Sequence, residues 1–337
     1  MVKLGTLISR AFTPDARDPW GKINDDARLL EDMGFDFTTA GQHSFTPDFP
    51  HPAPLTTLAW LAARTSRLNL VSGIVILPLY QPVAIAEQVA QIAELSGGRI
   101  VLGVGTGYRQ YEFDGYGVEM KSRGARMDEA VQLLHHVFET GEFEFDGKYY
   151  QVPKLPLAPR PARPPLLWVG GTSEAALRRA ARWADGLLTE NMSTRRVMTG
   201  RIGRYRNLSA EAGRQAGSVV LYRNVYLSTS PTEIEDVFIP RVLKEHLGYR
   251  SHGAAENVED ENDFYARAAR GERISLAEIT DGRVIAGNPE QVIAQIKAWE
   301  GSIGMTHINC MGIGPEETPE QRRRTLELWG KEVIPYI

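Results

Sequence analysis

The stretch from Leu68 to Gly107, LNLVSGIVILPLYQPVAIAEQVAQIAELSGGRIVLGVGTG, carries one complete β/α/β unit. Leu68 to Leu77 is a β-rich apolar run. Val83 to Leu95 then sets Ala86, Val89, Ala90, Ala93 and Leu95 largely on one helical face, and Gly97-Gly98 supplies the stop that a helix end favours. A second apolar run, Ile100 to Val104, starts at once. Strand, crossover helix and strand in that order predict a parallel pair.

The same alternation runs outward in both directions. Strands are expected near Val2 to Ile8, Phe35 to Ala40, Leu68 to Leu77, Ile100 to Val104, Leu166 to Val169, Gly186 to Thr189, Val219 to Leu227 and His307 to Met311. Helices fall around Asn24 to Met33, Pro54 to Thr65, Val83 to Leu95, Ala125 to Thr140, Glu174 to Ala184, Arg195 to Ala212, Pro289 to Glu300 and Pro319 to Val333. Eight such pairs predict an α/β fold, a single (β/α)8 TIM barrel over residues 1–337. Two excursions interrupt the rhythm. Gly141 to Pro165 reads as a hairpin around Asp146-Gly147 with a proline-rich connector. Pro240 to Arg283 is too long for a plain connection and reads as a lid or binding loop, with a helical surface insertion as the ordinary alternative. A doubly wound sheet is the competing architecture. Against it, Gly103-Val104-Gly105-Thr106-Gly107 stands on the fourth strand and lacks the third glycine at the usual interval of a dinucleotide fingerprint, and Tyr108 to Arg123 does not read as a helix.

Composition narrows the function. The 38 Lys and Arg against 42 Asp and Glu give a net charge of −4 with neither sign gathered into a block, so a nucleic-acid partner lacks its basic face. Hydrophobic residues at 42% suit a packed globular core. The lone cysteine, Cys310, can form neither an internal disulfide nor a cysteine metal site; beside Ile308 and Met311 it reads as a buried thiol, which fits a reducing cytoplasm. No export signal and no apolar run of about 18 residues is present. The HxH, HExxH and GxSxG patterns of metallohydrolases and serine hydrolases are absent too.

In a barrel the C-terminal strand ends carry the chemistry. His43, just past strand two, is placed to move a proton. Ser72-Gly73 interrupts strand three, where a glycine marks either a bulge beside a ligand or close helix packing. Gly105, Thr106 and Gly107 leave strand four with little side-chain bulk and exposed N–H groups, or form a tight turn. Gly170, Gly171, Thr172 and Ser173 run from strand five straight into a helix, the parts of a phosphate cradle; Thr172 or Ser173 would serve as an N-cap in any case.

Three stretches carry a resemblance: Leu68 to Gly107, WVGGTSEAALRRAARWADGLL from Trp168 and VIAGNPEQVIAQIKAW from Val284. In them the chain resembles the luciferase-like, flavin-dependent monooxygenases and oxidoreductases built on a TIM barrel. The resemblance implies reduced FMN at the barrel mouth, its ring against strand three and its phosphate at Gly170 to Ser173. It implies a non-prolyl cis peptide at Gly73-Ile74 and a role for His43 in proton transfers beside the ring. Ser72, Gly73, Gly105, Thr106 and Gly107 join the expected cofactor site, and Tyr108, Asn191 and Met192 the expected substrate site. The segment Pro240 to Arg283 matches the family's variable insertion. Departures at Gln42, Gln81 and Thr106 argue against light emission. The implied activity is oxidation of a small, largely apolar substrate by O2 and FMNH2 from a separate flavin reductase, in a homodimer. A deazaflavin-dependent oxidoreductase working by hydride transfer is the alternative, and a non-catalytic flavin-binding protein a third.

Overall fold

The computed structural model of the chain describes residues 1–8, 19–46, 51–251, 253, 259–280, 282–315 and 318–337. Among them the strands are β1 (Lys3–Leu7), β2 (Phe37–Ala40), β3 (Asn69–Ser72), β4 (Val75–Ile76), β5 (Ile100–Gly105), β6 (Glu142–Asp146), β7 (Gln151–Pro156), β8 (Leu166–Gly170), β9 (Gly186–Leu188), β10 (Ser218–Leu227), β11 (Val284–Gly287) and β12 (His307–Cys310). The helices are α1 (Pro19–Asp32), α2 (Pro54–Ala62), α3 (Pro82–Ser96), α4 (Gln110–Tyr116), α5 (Arg123–Thr140), α6 (Glu174–Trp183), α7 (Arg195–Glu211), α8 (Pro231–Glu233), α9 (Ile239–Ser251), α10 (Phe264–Ala269), α11 (Leu276–Thr280), α12 (Pro289–Ile303) and α13 (Pro319–Leu328).

Parallel pairing runs β1-β2-β3-β5-β8-β9-β10-β12, and β12 returns to β1 through Lys3 opposite His307, so the sheet closes into the expected eight-stranded barrel. Leu7, Phe37, Val71, Val101, Trp168, Leu188, Val220, Tyr222 and Met311 fill its interior. A larger apolar layer lies between the strands and the outer helices and includes Cys310, which is buried as expected. Close packing of this kind dictates small residues at fixed points. A Cβ on Gly5 would lie 2.3 Å from the Phe37 ring, and one on Gly103 only 2.0 Å from the Ser72 carbonyl oxygen. None of the described helices is long and apolar enough to cross a membrane.

The excursions resolve into structure. β6 and β7 form the expected antiparallel hairpin, with the Gly147 N–H closing onto the Tyr150 carbonyl. The second excursion begins earlier than expected, at Pro231. It is the helical alternative, with helices α8 to α11 enclosing Phe238, Ile239, Val242, Phe264, Tyr265 and Ile279 in an apolar cluster of their own. Residues 252, 254–258 and 281 of that segment lie outside the described residues. β11, not expected from sequence, follows it and pairs with the end of β10 beyond the barrel rim, Asn224 opposite Val284 through Leu227 opposite Gly287.

One sequence expectation is corrected. Tyr108 to Arg123 contains α4, followed by a 3-10 turn at Met120–Ser122. The motif QYEFDGY offers one fully buried apolar residue and a glycine, too little for periodicity to register. Tertiary packing forms this short helix: Phe113 seats in a cluster with Ile76 and Leu79, and Gly117 at φ +67° closes the last turn.

Candidate active site at the barrel mouth

Strand three breaks where the sequence put its glycine. β3 stops at Ser72, the Gly73-Ile74 peptide is cis, and β4 resumes at Val75. The Ser72 hydroxyl accepts from the Gly103 N–H and donates to the Gly103 carbonyl, both at 2.8 Å, so it fastens β3 to β5. The hydroxyl of Ser72, a residue expected at the cofactor site, makes both of these hydrogen bonds inside the sheet. The Gly73 carbonyl lies against Gly41, and a Cβ on Gly73 would stand 2.2 Å from the Tyr222 hydroxyl. Beyond the break Gln42 braces the strand: its Oε1 accepts from the Ile76 N–H at 2.8 Å, and its Nε2 donates to the Tyr80 hydroxyl at 2.5 Å.

His43 follows on the same loop, pinned by its backbone N–H to the His51 carbonyl at 2.9 Å. Its Nδ1 lies 3.4 Å from Oε1 of Glu112, a carboxylate that is wholly buried, while the imidazole keeps 20% of its side-chain surface. The same Oε1 accepts the Ser44 backbone N–H at 2.8 Å. A buried carboxylate needs such donors. With the Nδ1 proton turned toward Glu112, Nε2 becomes the proton-accepting atom of the ring, the arrangement of a general base. Sequence reading singled out His43 and missed Glu112, because the latter sits on the helix that sequence did not show. Gly107 makes the geometry possible: φ is +72°, and a Cβ would fall 2.6 Å from Ile76. The chain therefore turns from β5 into α4 so that Phe113 points into the fold while Glu112 reaches His43.

Tyr108 closes the other side, its ring edge-on to His43 at 6.1 Å; burial pushes its phenol up to about 12, so it stays protonated and can donate. Tyr80 and Tyr116 meet at 3.4 Å between hydroxyls, and Tyr116 reaches Ser44 Oγ at 3.4 Å. Burial foremost, with Tyr116 adding to it, holds the Tyr80 phenol well above its ordinary value.

The remaining expected residues divide. Ser173 is the N-cap of α6, its hydroxyl accepting from the Ala176 N–H at 3.3 Å. Gly171 has φ +146° and a Cβ there would lie 2.6 Å from that of Ala176, so glycine is demanded, whereas a Cβ on Gly105 would meet the far end of the Ile74 side chain at 2.5 Å. Gly170 differs, since a Cβ there meets only ordinary contacts of 3.4 to 3.7 Å. Asn191 and Met192 are buried. Asn191 Nδ2 donates to Asn224 Oδ1 at 2.8 Å, and Met192 packs in the apolar cluster of the insertion. The Asn224 oxygen is also 2.9 Å from Nε2 of the buried His246, and the Tyr265 hydroxyl donates to the Met192 carbonyl. These two expected substrate residues thus tie the insertion to β10. The 190–193 loop is held from below by Arg223, which donates to the Glu190 and Ser193 carbonyls and lies 4.3 Å over the Trp299 ring. Full burial brings this guanidinium down to about 10.

The chain matches the model of the luciferase-like monooxygenase family over residues 3–307. It is 36% identical over 155 residues to an uncharacterised protein of Mycobacterium tuberculosis, a match to 46% of this chain that spans about half (54%) of the relative's length. An F420-dependent glucose-6-phosphate dehydrogenase of Nakamurella multipartita is 27% identical over 324 residues, 94% of this chain and 92% of that one. In fold, the chain is similar to the oxygenating constituent of 3,6-diketocamphane monooxygenase of Pseudomonas putida, solved with FMN. The TM-score is 0.80 at 18% identity, covering 100% of this chain and 99% of that one. The closed barrel with its cis Gly73-Ile74 break and the family match agree: the chain belongs to the luciferase-like monooxygenase family, whose members include flavin- and F420-dependent oxidoreductases.

Proposed function

We propose that this chain is a deazaflavin-dependent oxidoreductase in which His43, oriented by Glu112, exchanges a proton with an oxygen atom of a small organic substrate. The observation that carries the reading is the His43–Glu112 pair, an imidazole backed by a buried carboxylate whose second oxygen, Oε2, lacks a hydrogen-bond partner. An alcohol giving up a hydride must lose its hydroxyl proton, and a base within reach of that oxygen is what the pair supplies. The F420-dependent relative that aligns along nearly the whole chain supports the same cofactor class.

Three features of the mouth support a flat cofactor in this reading: Glu112 Oε2 lies beside His43 without a hydrogen-bond partner, strand three is interrupted at Gly73 and Ile74, and Gly170 leaves room before the start of α6. In this proposal Gly73 and Ile74 support the ring, while Gly170, Gly171, Thr172 and the start of α6 receive the phosphate, with Gly105, Thr106 and Gly107 beside them. Tyr108 faces the substrate. Such a cofactor, when bound, supplies the two-electron exchange; the protein excludes water, orients the substrate and holds the proton at His43 Nε2.

The second reading, favoured by the family's monooxygenase character, is the FMN-dependent monooxygenase expected from sequence, fed by a flavin reductase. A cytoplasmic homodimer is part of both readings. Measuring the affinity of reduced FMN against a reduced deazaflavin, and assaying for oxygenated product, separates the two. His43→Gln and Glu112→Gln should each lower kcat by about 10²- to 10⁴-fold while cofactor quenching of tryptophan fluorescence keeps its midpoint. No saturable binding of either cofactor, or full rates in both variants, would refute the proposal.

A further inference from the structure

Arg109 stands at the mouth between Tyr108 and Tyr111, its guanidinium carbon 5.6 and 5.9 Å from their ring centres. It spends one nitrogen on the protein: Nη1 donates to the Tyr111 hydroxyl at 2.7 Å and reaches Thr46 Oγ1 at 3.5 Å. Nε, on the opposite edge, is buried and has no hydrogen-bond partner. Glu112, whose charge acts on Arg109, has Oε1 committed to Ser44 and His43, and neither of its oxygens forms an ion pair with Arg109 among the described residues. Among the described ion pairs none includes Arg109, whereas Arg179, Arg201 and Arg204 each have a carboxylate within 3.1 Å. What remains is the side-on Nε–Nη2 edge of a planar guanidinium, held by two aromatic faces, three residues before Glu112. This edge presents two parallel N–H groups at the spacing of a carboxylate's two oxygens, and burying it without an acceptor is unfavourable. Around it the surface is aromatic, with Phe45 60%, Tyr111 40% and Tyr116 37% exposed.

We infer that the substrate is an organic acid with an apolar or aromatic body, its carboxylate received by the Nε–Nη2 edge of Arg109 and its reacting oxygen turned to His43. The assignment rests on the function proposed above and adds to it the chemical class of the substrate. Arg109 is then a specificity residue: it selects the anion and orients it, and it takes no part in proton transfer.

The test is calorimetric titration of the cofactor-loaded full chain with benzoate against benzamide, and with acetate against acetamide, for the wild type, Arg109→Gln and Arg109→Lys. The wild type should prefer each acid over its amide at least tenfold, with a preference that shrinks as salt is raised. Arg109→Gln should abolish the preference. Arg109→Lys should restore only part of it, because an ammonium keeps the charge and loses the fork. His43→Gln should retain the full preference, so a failure of the proton-transfer reading shows in turnover and leaves this result standing. Equal binding of acid and amide by the wild type overturns the inference, as does an undiminished preference in Arg109→Gln. It falls equally if that variant weakens cofactor binding while the acid-over-amide preference survives, since the cation would then serve the cofactor.

Discussion

At the floor of the barrel, opposite the mouth, His307 opens β12 with its ring between Phe37 at 5.7 Å and Trp168 at 5.0 Å. Nδ1 lies 2.7 Å from the Thr306 hydroxyl, and the facing strand brings Lys3 opposite. Burial first, and the Lys3 charge second, bring this imidazole down from 6.5 to about 4. The folded state therefore holds His307 neutral where an unfolded chain would protonate it. Stability from this group is fully present above pH 6.5 and drains away as pH falls toward 4, because only the unfolded state takes up the proton in that window. At about 1.4 kcal/mol per pH unit the whole interval is worth roughly 3 kcal/mol. His307→Gln keeps a polar partner for Thr306 and cannot titrate. Urea unfolding of wild type and variant at pH 7.5, 6.5, 5.5 and 4.5 should show the wild type losing about 2.5 kcal/mol more than the variant between the extremes. Parallel acid slopes, or a histidine NMR titration placing His307 near 6.5, would refute the reasoning.

Two substitutions at glycines test opposite readings of the same residue type. Gly170→Ala should leave stability within about 1 kcal/mol of wild type by thermal unfolding, because its new methyl meets only ordinary contacts, yet should weaken cofactor binding at least tenfold if the phosphate lies there. Gly103→Ala drives a methyl into the Ser72 carbonyl, a backbone atom that cannot swing aside. It should cost roughly 3 kcal/mol or more in denaturant unfolding, with cofactor affinity measured at low temperature falling only as the folded fraction does.

The barrel was legible because each β/α unit repeats one local pattern, and the unit at Leu68 to Gly107 shows all its signals within one stretch: an apolar run, a one-faced helix, Gly97 in the left-handed conformation and a second run. β11 was not, since VIAG is four residues long and pairs only because β10 overshoots the rim. The hidden half of the site has a similar cause. His43 could be read from its place after a strand, but Glu112 acquires meaning only when α4 forms, and α4 forms only because Phe113 finds Ile76 and Leu79 from a distant segment. Gly105 and Gly107 read as a ligand loop or as a tight turn, and the structure adds that each makes room for a neighbour, Ile74 and Ile76.

That packing links the Gly73-Ile74 break to the His43–Glu112 pair. Ile74 and Ile76 flank the broken third strand, and the glycines that admit them lie on the segment leading into α4. Gln42 clamps Ile76 from the neighbouring loop and passes its other hydrogen bond to Tyr80; Tyr80 meets Tyr116 at the end of α4, and Tyr116 meets Ser44, whose backbone N–H holds Glu112. The circuit returns to its start, because Gln42, His43 and Ser44 are consecutive. β4, Glu112 and His43 thus share one ring of contacts, in which each member restrains the next. Stiffness of this kind is what a site needs when a proton and a pair of electrons must leave one substrate carbon and its oxygen together.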